Sequence, residues 1–164
     1  MTHPVLILVH PGSLAAHGGS SSLSDAIREL ETHDGPIIII DGSISDKSAH
    51  LDMRISKALN QAEKNGHLAL RLWGCDSGEP PFEGWPGRKP SNSDVKMIHS
   101  DQEEVAKYLA PEISGHPVIL SGAWATYDDT SGCVTSVKHA LIKAGHKESI
   151  TMSQNVIYEE DFDM

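Results

Sequence analysis

Cys133 is one of only two cysteines, and it stands where a long loop meets a helix, in "SGAWATYDDTSGCV" at residues 121 to 134. Unpaired N–H groups and the dipole at a helix start favour a thiolate, the form of cysteine that acts as a nucleophile. Asp128 and Asp129, in the same loop, would oppose the thiolate if they faced the sulfur. Because cysteine is also among the most buried residue types, Cys133 could instead only pack the helix onto a sheet.

Two further candidates, His10 and Asp41, directly follow apolar runs that are typical of strands. An imidazole can serve as the base for a cysteine, and a carboxylate can orient the imidazole. The alternatives are a packing or capping role for His10 and a turn at Asp41-Gly42. Asp76, which follows another apolar run, could hydrogen-bond an amine or a ribose, or could cap its own turn.

The elements that would position these residues follow from the apolar pattern, in which short apolar runs alternate with amphipathic segments. This alternation is typical of strands buried on both faces and separated by helices. The predicted strands cover residues 4–10, 35–42, 67–76 and 116–122, with a last strand or strand pair over 149–158. The predicted helices cover 20–31, 51–62, 101–113 and 134–144. We therefore predict a three-layer α/β/α domain, Rossmann-like, with a mostly parallel sheet of about five strands.

In an open parallel sheet, ligands bind at the carboxyl ends of the strands. That rule predicts that His10, Asp41, Asp76 and the loop before Cys133 gather at one end of the sheet. It also implies that His10 and Cys133 are neighbours, provided that their strands are adjacent.

Two long connecting segments are expected to complete this site. Residues 77–94 are rich in proline and glycine, and we read them as a loop folded over the strand ends, with Trp85 docked in it. Trp85 and Trp124, each in a long loop, are candidates for the wall of a pocket. In "HPGSLAAHGGSSS", Gly12 and Ser13 are candidate substrate-binding residues whose backbone N–H groups could hold a phosphate. The alternative is a flexible loop with an N-cap serine.

Length and charge narrow the classes of function. A chain of 164 residues suits a single domain, predicted here over residues 1–158, with an acidic tail at 159–164. The net charge of -10 disfavours nucleic acid as a partner, and no apolar stretch is long enough to predict a membrane span. Without a secretory signal, the two cysteines predict reduced thiols and a cytoplasmic protein. Three of the ten histidines, His33, His116 and His146, lie in turn contexts and are expected at the surface.

Three segments together resemble the isochorismatase-like cysteine hydrolases, especially the nicotinamidases. They are "VLILVHPGSLAAHGGSSSLSDAI", "GEPPFEGWPGRKP" and "VILSGAWATYDDTSGCVTSVKHALIKAGH", in the order in which the family has them. The resemblance implies a cysteine nucleophile, an aspartate base at the end of the first strand, and a lysine. Cys133 occupies the nucleophile position and His10 the position of the aspartate, while Lys89 and Lys96 only approximate the lysine. The loop before Cys133 is longer than the family's.

Nicotinamidases also bind a metal through Asp and His residues after the second strand. Asp41 and His50 are placed for that role, but Ser43 stands where the motif has a further histidine. We therefore expect no metal and no other cofactor.

The functional prediction is a cysteine-dependent hydrolase of a small amide or related acyl compound, acting through a thioester. The alternative is a non-catalytic protein that holds a small anionic or nucleotide-like ligand at the same strand ends. A third possibility is a structural or interaction protein whose working surface is an oligomeric interface. We expect a small-molecule substrate or ligand as the partner, and a homo-oligomer.

Overall fold

The computed structural model describes residues 3–11, 14–41, 49–74, 95–100 and 102–159. The strands are β1 (Val5–Val9), β2 (Ile37–Asp41), β3 (Ala69–Gly74), β4 (Val95–Ser100), β5 (Val118–Ala125), β6 (Ile150–Met152) and β7 (Ile157–Tyr158). The helices are α1 (Leu14–Thr32), α2 (Ala49–Lys64), α3 (Gln102–Glu112) and α4 (Cys133–Lys143). The predicted α/β architecture with a mostly parallel sheet is confirmed.

The sheet has the order β4-β3-β2-β1-β5-β6, with β7 paired to β5, and the described pairings are parallel. Side chains alternate between its two faces, as a pleated strand requires. Leu6 and Leu8 of β1 pack in one apolar cluster with α1 and α2, whereas Val5, Ile7 and Val9 pack in a second cluster with α3 and α4. The sheet is therefore the middle of three layers.

The strand order reverses its direction of growth beside β1. From β1 the chain adds β2, β3 and β4 on one side, and then crosses to place β5 and β6 on the other. The carboxyl ends of β1 and β5 consequently flank a topological switch point, where open α/β sheets form a crevice for ligands.

Gly122 allows β1 and β5 to approach closely at that point. It pairs with Val9, and a Cβ atom on Gly122 would stand 2.0 Å from the Val9 carbonyl oxygen and 2.7 Å from the Val9 nitrogen. Its φ of +112° is also one that residues with a side chain rarely adopt. The Ala123–Trp124 peptide bond that follows is cis.

Three elements differ from the prediction. Helix α1 begins at Leu14, before the predicted start at residue 20. The buried side chain of Leu14 favours this longer helix, against the poor helix propensity of the Gly and Ser residues. Strand β5 extends beyond residue 122 to Ala125. Strand β4 was not predicted, because "VKMIHS" lacks the continuous apolar run of a central strand and lies at one end of the strand order.

The surface placement predicted for three histidines is wrong for His146. This residue is only 9% exposed, and neither ring nitrogen has a hydrogen-bond partner. His33 and His116 are half-buried, each with one ring nitrogen close to a backbone carbonyl oxygen. Among the helices of the described residues, none has both the length and the apolar character needed to cross a membrane.

We predict that Gly122→Ala lowers the free energy of unfolding by more than about 3 kcal/mol, because the new methyl group meets the β1 backbone. The control is Gly66→Ala, where φ is also positive, at +84°, but nothing lies within 4 Å of the added Cβ. Gly66→Ala should lower the free energy of unfolding by only about 1 kcal/mol. Urea unfolding measures both, and equal losses for the two variants would contradict the close approach.

Candidate functional site

His10 stands at the carboxyl end of β1 in an unusual backbone conformation. Its φ is 49°, in the left-handed region that residues with side chains seldom occupy, and it is only 5% exposed. Its N–H donates a 2.8 Å hydrogen bond to the Ile40 carbonyl of β2. The position of His10 is thus determined by both β1 and β2, which is how a site residue is held rigidly.

Cys133 is a half-buried thiol and the first residue of α4, as the sequence predicted. The N-cap residue is Gly132, which supplies no side-chain cap to the first turn. The N–H groups that begin a helix make no bonds within it and favour negative charge nearby. Cys133 also packs against the cluster formed with α3 and α4, so its environment is partly apolar.

The loop between β5 and α4 closes on itself before Cys133. The Thr126 N–H donates to the Ser131 carbonyl at 3.2 Å. Gly132 then lies against β5, where an added Cβ would stand 2.1 Å from the Trp124 carbonyl oxygen. Residues 127–130 therefore form a side excursion, and the chain returns to the end of β5 to start α4.

Because β5 is paired with β1, this return places the start of α4 at the same end of the sheet as His10. The strands that precede His10 and Cys133, β1 and β5, are adjacent in the sheet, with Val9 opposite Gly122. His10 directly follows Val9 in the chain. The two candidates, His10 and Cys133, therefore belong to the two chain segments that border the switch point.

The two acidic residues of the excursion are both engaged by local groups. Asp128 accepts 2.7 Å hydrogen bonds from the hydroxyls of Thr126 and Thr130, which lower its pKa. Asp129 pairs with Lys138 of α4 at 2.9 Å and lies 3.3 Å from the His139 ring nitrogen. The hydrogen bond from Lys138 is the main reason why the pKa of Asp129 is lowered. An ammonium group thus balances the charge of Asp129, which reduces its opposition to a nearby thiolate.

Asp41, the predicted orienting carboxylate, is paired with Arg71 of β3. The Arg71 Nε lies 2.7 Å from Asp41 Oδ2, and its Nη2 lies 3.5 Å from Oδ1. Arg71 is only 7% exposed, and a buried guanidinium requires such a partner. Arg71 is not among the residues predicted from the sequence, although a lone arginine within "LALRLW" is a usable signal that a carboxylate is near.

Trp124 lies in β5 and not in the loop where it was predicted. It is half-buried and packs against the cluster formed with α1 and α2. The prediction that a Gly- and Ser-rich loop after β1 could hold a phosphate is also corrected. The chain is helical from Leu14, so the Gly-Gly-Ser residues lie in α1 and not in a loop.

Four predicted substrate-binding residues and the whole of the long 77–94 loop lie outside the described part of the chain. These four substrate-binding residues are Gly12, Ser13, Asp76 and Trp85. Lys89 is also outside it, while Lys96 lies in β4 with a side chain that is not described. Within the described residues, no group of three or more His, Cys, Asp or Glu side chains could hold a metal ion.

An aromatic pair borders the excursion and was not predicted. The rings of Tyr127 and Tyr158 are stacked, with centroids 4.6 Å apart and planes inclined by 13°. Tyr158 belongs to β7, which pairs with Ala125 at the end of β5, and Tyr127 is 78% exposed. No sequence signal joins two tyrosines so far apart in the chain.

No model of a known protein family, no curated protein and no solved structure matches this chain. The resemblance to the isochorismatase-like hydrolases therefore stays a prediction from the three quoted segments.

We predict that Asp41→Asn lowers the free energy of unfolding by about 3 kcal/mol, because it removes the carboxylate that pairs with the buried Arg71 guanidinium at 2.7 Å. A matched control is Glu31→Gln, which breaks the Arg54 pair. There the distance is 2.6 Å, but the side chains are 34% and 37% exposed. The control should cost less than about 1 kcal/mol. Chemical denaturation compares the two variants, and equal small losses would show that Arg71 does not depend on Asp41.

The Asp129 pair should make a small, pH-dependent contribution to stability. Its pKa is lower in the folded chain than its ordinary value of 3.8, so the contribution is complete above that value and is lost as the pH falls through the folded pKa. We expect Asp129→Asn to lower the free energy of unfolding by less than about 1 kcal/mol at pH 7, because the carboxylate is 40% exposed, and by less still at an acidic pH below 3.8, where the carboxylate becomes protonated. Denaturation at both pH values tests this, and Lys138→Met should remove most of the difference.

Proposed function

We propose that this chain is a cysteine-dependent hydrolase of a small amide or related acyl compound, with Cys133 as the nucleophile and His10 as its base. The observation that carries the proposal is the closure of the β5–α4 loop. It returns the start of α4 to the end of β5, which is paired with the strand that ends at His10. The resemblance to the isochorismatase-like hydrolases supports the same assignment of Cys133.

In the first half of the reaction, His10 accepts the proton of the Cys133 thiol, and the sulfur attacks the carbonyl carbon of the amide. The N–H groups in the first turn of α4 stabilise the negative oxygen of the tetrahedral intermediate. The C–N bond then breaks, and the protonated imidazole gives its proton to the leaving amine. The product of this half is a thioester on Cys133.

In the second half, His10 removes a proton from a water molecule that attacks the thioester carbonyl. The C–S bond breaks, the acid leaves, and the proton returns to the sulfur. The atoms and electrons of the two half-reactions balance without an oxidant, a reductant or a metal.

Asp41 has an indirect role in this scheme. Its pairing with Arg71 joins the end of β2 to β3, and β2 also supplies the Ile40 carbonyl that accepts the His10 N–H. Asp41 can thus orient His10 through the backbone of β2.

A second candidate function is favoured by the packing of Cys133 against the apolar cluster. A protein that only binds a small anionic or nucleotide-like ligand at these strand ends would need no nucleophile. Under either function we propose a small-molecule partner, a cytoplasmic location and a homo-oligomeric state, on the sequence grounds given above.

The test is the pH dependence of iodoacetamide labelling at Cys133. An activated thiol should label quickly near pH 6, well below the ordinary cysteine pKa of about 8.5. His10→Ala should slow that labelling by at least about tenfold, because the imidazole no longer accepts the proton. Cys133→Ser gives the background from the other cysteine.

Slow labelling that rises only above pH 8, with no effect of the His10 substitution, would reject the hydrolase. It would favour the binding protein, for which a screen of small anions and nucleotides is then the appropriate assay. Rapid labelling that depends on His10 would justify a screen of small amides, with release of the amine as the readout.

A further inference from the structure

We infer that Thr126 is a positioning residue, whose hydroxyl holds the β5–α4 loop closed and thereby keeps Cys133 at the end of β5. The inference rests on the proposed function, because only a reactive Cys133 needs a defined position. Thr126 has no part in the bond-making steps described above.

The Thr126 hydroxyl is the central hydrogen-bonding group of the loop. Thr126 is only 3% exposed, and its Oγ1 accepts the N–H of Thr130 at 3.2 Å and that of Ser131 at 3.1 Å. The same hydroxyl donates its proton to Asp128 Oδ1 at 2.7 Å. One buried oxygen therefore satisfies two backbone donors and one carboxylate, and its removal would leave those groups without this partner.

These bonds act on Cys133 through a short and constrained stretch of chain. Ser131 is joined to the Thr126 hydroxyl through its N–H and to the Thr126 N–H through its carbonyl. Gly132 follows, pressed against the Trp124 carbonyl, and its own carbonyl accepts the Ser136 N–H at 2.8 Å. A shift of Ser131 would therefore move Gly132 and the first turn of α4.

The rest of α4 has an independent anchor. Val137, Ala140 and Leu141 are buried in the cluster shared with α3, and Lys143 pairs with Glu103 of α3 at 2.9 Å. Loss of the Thr126 hydroxyl should therefore disturb the first turn without unfolding the helix. A change in the reactivity of Cys133 without unfolding of α4 would therefore indicate a positioning role and not a merely structural one.

The experiment compares Thr126→Val, which removes the hydroxyl at nearly constant shape, with Thr126→Ser, which keeps it. The readout is the midpoint of the pH profile of iodoacetamide labelling at Cys133. We expect Thr126→Val to raise the midpoint by about one unit and to slow labelling at pH 6 by about tenfold. Thr126→Ser should restore both to within about twofold of the original chain.

Thr130→Val is the matched control, because its hydroxyl also donates to Asp128 Oδ1 at 2.7 Å but it is exposed. It should leave the midpoint unchanged. A cooperative urea transition checks that each variant is folded, and Thr126→Ala replaces Thr126→Val if the valine variant fails that check.

The outcomes separate this inference from the proposed function. A low original midpoint that a folded Thr126→Val does not move overturns the positioning role alone, as does an equal shift in Thr130→Val. An original midpoint near 8.5 that no variant moves overturns both.

Discussion

The geometry of the site depends on one close backbone contact, between Val9 of β1 and Gly122 of β5. No side chain fits between these residues, so the two strands can lie side by side to their carboxyl ends. They are also the strands at which the sheet changes its direction of growth. The same contact therefore forms the centre of the sheet and brings together the segments that carry His10 and Cys133.

Around that contact, the polar residues are organised in pairs and small networks. The pair of Asp41 and Arg71 joins the end of β2 to the middle of β3, and Asp129 is held by Lys138 on α4. The charges of Asp41 and Asp129 are largely compensated within the protein, so Asp129 opposes negative charge at the start of α4 less than an unpaired carboxylate would. Asp128, in the same loop, is held by the neutral hydroxyls of Thr126 and Thr130. The N–H groups at the start of α4 can therefore still favour an anion, although the chain as a whole is acidic.

Much of the fold could be predicted from the sequence because the central strands are long apolar runs, of which Ile37–Ile40 is the clearest. Strand β4 could not, because an end strand needs no such run. The positions of His10 and Cys133 followed from the rule for parallel strand ends. Thr126 and Arg71 were missed, since their importance comes from hydrogen bonds across the fold and not from local spacing.

The hydrogen bond between Thr126 and Ser131 has a consequence for how the loop can change over time. Because the chain is joined across the base of the excursion, residues 127–130 can be lengthened, shortened or exchanged while both ends stay in place. Such a loop can acquire new surface chemistry by insertion without moving the thiol that follows it. Loop length is then a poor measure of evolutionary distance at this position, and the excursion is a natural place to graft a new recognition element.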